Sequence, residues 1–87
     1  MTMIGSAIAR DMWPITPHAT NPVGGSGSDK KAYGIKVTTA GTVIGRTEGG
    51  TSDITITLAA GEREPVVFTH IRTGGTATGI FGYSLWI

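Results

Sequence analysis

The stretch 72-RTGGTATGIFGY-83 holds four glycines and three threonines in twelve residues before it turns apolar. A glycine-rich loop of this kind has two physical uses. It can wrap backbone N–H groups around a phosphate at the start of a helix, or it can turn tightly into a strand. Gly74, Gly75 and Gly79 do not fit a G-x-G-x-x-G spacing, and the continuation 78-TGIFGYSLWI-87 is rich in β-branched and aromatic residues. With a strand ahead, no helix dipole awaits a pyrophosphate. The stretch therefore reads as a turn, with Gly74 and Gly75 supplying conformations that other residues resist. Gly79 and Gly82 allow close backbone approach or a bulge in the strand that follows.

That last strand is apolar on both faces, with Ile80 and Trp86 on one and Phe81, Tyr83, Leu85 and Ile87 on the other. One face can pack in the chain's own core. The other requires a partner. Earlier runs share the period of two: 54-ITITL-58 sets Ile54, Ile56 and Leu58 against Thr55 and Thr57, and 33-YGIKV-37 sets Tyr33, Ile35 and Val37 against Lys36. The runs 42-TVIGR-46 and 66-VVFTHI-71 complete five strands, with His70 expected on the partly buried face of Phe68. Turn residues separate them at Ala40-Gly41, Glu48-Gly49-Gly50, Ala60-Gly61 and Gly74-Gly75. Residues 32–87 are thus expected to form an all-β module, a small antiparallel β-sandwich or barrel of about five or more short strands.

Residues 1–31 have a different texture. They contain Pro14, Pro17 and Pro22 and end in 24-GGSGSDKK-31, which is flexible-linker chemistry. They read as an extended N-terminal arm followed by a hinge. The run is not a P-loop, because Asp29 stands at the second glycine position and Lys31 at the Ser/Thr position.

Composition narrows the function. Only 15% of the 87 residues are charged and the net charge is +1, so there is no basic field for nucleic acid. A charged fraction this low suggests that other subunits cover part of the surface. The chain has no cysteine, and His18 and His70 show no metal-ligand spacing. No apolar run approaches the 18 or so residues of a membrane span. The acids Asp11, Asp29, Glu48, Asp53, Glu62 and Glu64 fall mostly in turns, and no serine has a His/Asp context, so no catalytic site or cofactor is expected. A β region of about 56 residues without a disulfide or metal is also close to the size at which burial barely offsets chain entropy. Association is its expected source of further stability.

Several pieces occur in a telling order: 15-ITP-17, 31-KAYGIKV-37 with 40-AGTV-43, 49-GG-50, 54-ITITL-58, 60-AGEREPV-66 and 73-TGGTATGI-80. This set resembles the small head spike base proteins of tailed phages and gene transfer agents. The departures are Gly75 where that family usually has Thr, and His18 where an acidic residue often follows the Pro. The resemblance implies a structural protein on the outer capsid surface, a spike base or decoration protein. Its implied partners are copies of itself as a trimer or pentamer, the major capsid protein, and a spike or fibre protein. On that reading Trp13, Pro14, Ile15 and Pro17 are expected arm contacts with the capsid or a neighbouring subunit. Tyr83, Leu85 and Trp86 are expected at the subunit interface. The alternative is a small carbohydrate-binding module that uses Trp13, Tyr33, Tyr83 and Trp86 as a stacking platform.

Overall fold

The alternating pattern becomes six strands: β1 (Met12–Pro14), β2 (Ala32–Thr39), β3 (Gly41–Thr47), β4 (Ile54–Leu58), β5 (Arg63–Arg72) and β6 (Thr78–Tyr83). The structure, a computed structural model, describes residues 11–84. Every neighbouring pair is antiparallel, in one sheet of order β1-β6-β2-β5-β3-β4, and the described residues contain no helix. The all-β antiparallel class expected from the sequence is the class observed. The sixth strand is β1, which comes from the N-terminal segment and pairs along β6.

A single sheet with one apolar face must either meet a second layer or curl on itself. This one curls, because β5 changes neighbours along its length. Its first half, Arg63–Phe68, pairs with β2, and its second half, Phe68–Arg72, pairs with β3. The chain passes from β2 to β3 through Ala40 alone, yet those strands are not paired, so it turns a corner rather than a hairpin. Behind the corner, the Gly61 N–H donates to the Val37 carbonyl at 2.8 Å, tying the β4–β5 turn to β2. The enclosed core is Ile35, Val37, Val43, Leu58, Phe68, Ile71 and Ile80, joined by Ile15, Ala32 and Ala77. No polar side chain is buried with them among the described residues.

Two bulges correct the expected faces. Register slips between Tyr33 and Ile35, where Gly34 adopts φ 117°, a left-handed conformation that glycine tolerates. Ala32 and Ile35 therefore both point inward, and Tyr33, paired with Val67, turns to the outer face instead of joining Ile35. A second slip, between Arg46 and Thr47, leaves Thr69 as the extra residue of β5. Phe68 and Ile71 are both buried, so His70 does not share the face of Phe68. On β4 the expected face is the observed one, but its burial is graded. Leu58 is 1% exposed, Ile56 packs at the core margin, and Ile54 is 43% exposed.

Candidate functional site

On β6, Ile80 and Gly82 are buried, so Phe81 and Tyr83 project from the opposite face. Strand registers extend that outer face sideways. Pro14 lies opposite Phe81, Phe81 opposite Lys36, Lys36 opposite Arg63, and Met12 opposite Tyr83. The result is an apolar strip of Met12, Pro14, Phe81 and Tyr83, bordered by two cations. Met12 is 40% exposed, and the Arg63 guanidinium stands 5.6 Å from the centre of the Tyr83 ring. This strip, apolar at its centre and cationic at its rim, has the make-up of a protein–protein contact.

The inner side of the same strands shows why the N-terminal segment is held. Trp13 lies opposite Gly82, and Ile15, two residues on, enters the core at 6% exposure. Glycine at position 82 is a packing requirement, since a Cβ there would stand 2.7 Å from Ile15 Cδ1 and 3.2 Å from Trp13 Cζ2. Lys30 places its Nζ 3.9 Å from the centre of the Trp13 ring. Backbone bonds continue the attachment: Ile15 N–H to Ile80 carbonyl at 2.8 Å, His18 N–H to Ile71 carbonyl at 2.9 Å and Val23 N–H to Thr69 carbonyl at 3.0 Å. The Lys31 ammonium, 2.7 Å from the Glu48 carboxylate, fastens the end of the Gly/Ser run, and that hydrogen bond raises the lysine's pKa.

The expected site residues are distributed as follows. Trp13 is half-buried against the core, Pro14 is exposed on the outer strip, and Pro17 is half-buried. Ile15, expected at a contact with another subunit, is instead part of this chain's own core, because it shares the inward face of Trp13. Tyr83 lies on the outer strip, while Leu85 and Trp86 fall outside the described residues. In the final turn Gly74 has φ 103° and Gly79 has φ 64°, whereas Gly75 has no left-handed φ and lies close over the Thr42 carbonyl. Of the four rings of the sugar-platform reading, Trp86 lies outside the described residues, and Trp13 and Tyr83 project from opposite faces. Lys30 stands over Trp13 and Arg63 over Tyr83, so each ring already carries a cation.

A polar cluster that no sequence motif announces lies on the outer side of β3 and β5. Arg72 Nε donates to both Asp53 oxygens, at 3.1 and 3.3 Å, and its Nη1 donates to the Ala19 carbonyl at 3.1 Å. Arg46 Nε stands 3.7 Å from Asp53 Oδ1, and Arg46 pairs across the strands with His70. The His70 Nδ1 lies 2.8 Å from the Thr69 hydroxyl. Burial, then the positive charges of Arg72 and Arg46, hold the His70 imidazole below its ordinary pKa of 6.5. Beside it is a cleft of about 190 Å³ lined by Pro22, Ser28, Asp29, Lys30, Lys31, Thr69 and His70. Among the described residues no three His, Cys, Asp or Glu side chains gather as a metal set. The cluster reaches the N-terminal segment at the Ala19 carbonyl, through an Arg72 held by Asp53.

No protein-family model matches the sequence, and no curated protein matches it. Among solved structures, the chain is similar to one in the capsid of a native gene transfer agent particle, determined with C5 symmetry. The two are 31% identical, and the match covers 87% of this chain and 83% of that one with a TM-score of 0.71.

Proposed function

We propose that this chain, which belongs to the same family as that gene transfer agent capsid chain, is a structural protein of a phage-like particle. The observation that carries the reading is the match itself, 31% identity sustained over 87% of the chain. Its role is that of a head spike base or decoration protein on the outer capsid surface, without catalysis. It assembles with copies of itself into a closed ring and holds a spike or fibre to the major capsid protein. The ring holds three or five copies.

The outer strip supports the assembly step. Met12, Pro14, Phe81 and Tyr83 provide the apolar centre of a subunit contact, and Lys36 and Arg63 provide its rim. Multivalent attachment through such a ring turns modest single contacts into lasting ones. Of the arm residues, Pro14 is exposed on this strip and meets the adjoining copy. Sedimentation equilibrium of the purified protein tests the ring. A mass of three or five chains is expected, with Phe81→Glu reducing it to smaller species. A wild-type protein that remains monomeric on and off the particle would refute the assembly reading.

A further inference from the structure

The two ends of the sheet are protected unequally. β1 is three residues long and contains Pro14, and short strands and proline are ordinary ways to blunt an edge. β4, at the other end, is five residues of 54-ITITL-58 without charge, proline or bulge. It pairs only with β3, and among the described residues no strand lies on its second side. An edge of this kind presents a row of unpaired backbone donors and acceptors to a further strand.

The sequence of β4 also names its complement. ITITL is nearly a palindrome about Ile56, so an antiparallel copy of itself pairs like with like. Ile56 meets Ile56, Ile54 meets Leu58, and Thr55 meets Thr57. Apolar pairs then fall on the core-facing side and threonine pairs on the solvent side, both favourable across strands. The flanking Asp53 falls opposite Ala59, so no like charges oppose. The graded burial of β4 fits as well, since Ile54 at 43% exposure is the core-facing group that an added strand would cover.

We propose that the free edge of β4 is a self-association site, taken by β4 of a second copy in antiparallel register centred on Ile56. It is separate from the outer strip of β1 and β6 and does not rest on the particle reading. A twofold contact of this kind uses the same edge on both copies, so it closes on a pair.

Cysteine crosslinking of the purified full chain tests the register, and the absence of native cysteine leaves no background. Ile56→Cys should give a disulfide-linked dimer under mild oxidation, because Ile56 faces its own counterpart. Thr55 and Thr57 are both exposed, so replacing either leaves the core intact. Thr55→Cys mixed with Thr57→Cys should crosslink at least tenfold faster than either variant alone. Alone, each thiol lies roughly 7 Å along the strand from its counterpart, beyond disulfide reach. A mixture that crosslinks no faster than the separate variants, or no faster than Glu62→Cys in the exposed turn, would overturn the proposal.

Discussion

Adding one methyl group at Gly82 tests whether the N-terminal segment belongs to the module. The φ of Gly82 is not in the left-handed region, so alanine there meets a steric problem and not a backbone one. Its Cβ would stand 2.7 Å from Ile15 Cδ1 and 3.1 Å from the Ala32 Cβ. Carbon atoms prefer about 3.5–4.0 Å, and overpacking on this scale costs about 1–3 kcal/mol. Gly82→Ala should therefore lower the unfolding free energy by about 2 kcal/mol. For a domain of this size that is a fall of roughly 8–16 °C in Tm. Ile15→Ala alone should cost about 2–3 kcal/mol, through lost burial and the space left behind. Combined, the two should cost about 1 kcal/mol or more less than their sum, because the smaller residue vacates the place that the methyl needs. Urea denaturation of the four proteins, repeated at two concentrations to separate the part due to self-association, measures this coupling. Costs that add to within about 0.5 kcal/mol would refute the packing of Ile15 on Gly82.

Three further outcomes follow from other contacts. Gly79→Ala should destabilise by about 1–2 kcal/mol from its φ of 64° alone, and by more because the new Cβ overlaps Thr38 Oγ1, as thermal denaturation would show. Asp53→Ala removes the shared partner of Arg46 and Arg72 and should cost about 0.5–1 kcal/mol, with faster hydrogen exchange at His18 and Val23. The imidazole of His70 has a pKa below 6.5 in the folded chain, so the unfolded chain binds the proton more readily. Stability should fall as pH drops from 7.5 through 6.5 and level off below the folded pKa, and His70→Gln should flatten that part of the Tm–pH profile.

Much of the module was legible because its strands alternate without interruption. 54-ITITL-58 set its own faces, and the turn glycines marked where each strand ends. The outer strip was half legible, since Phe81 and Tyr83 could be placed opposite Ile80, but their neighbours Met12 and Pro14 could not. β1 is only three residues long and lies among prolines, so its pairing depends on a contact with β6 nearly seventy residues away. The spacing of Trp13 and Ile15, two apart and both large, was the available signal. The slip at Gly34, where β5 carries the extra residue, had a cue, an isolated left-handed glycine within a strand run, and ignoring it placed Tyr33 on the wrong face. The bulge at Thr69 had none, because threonine is an ordinary strand residue. The Arg46–Asp53–Arg72 cluster depends on cross-strand register and on a loop meeting β5, neither of which a local pattern encodes.

Binding to the particle decides whether the chain is a capsid surface component. Purified protein would be titrated onto particles that lack it, and bound copies counted after sedimentation. Saturable binding is expected, at a multiple of the ring size that sedimentation equilibrium gives, with Phe81→Glu binding far fewer. Binding that never saturates, or is unchanged by Phe81→Glu, would contradict a ring held through the strip of Met12, Pro14, Phe81 and Tyr83.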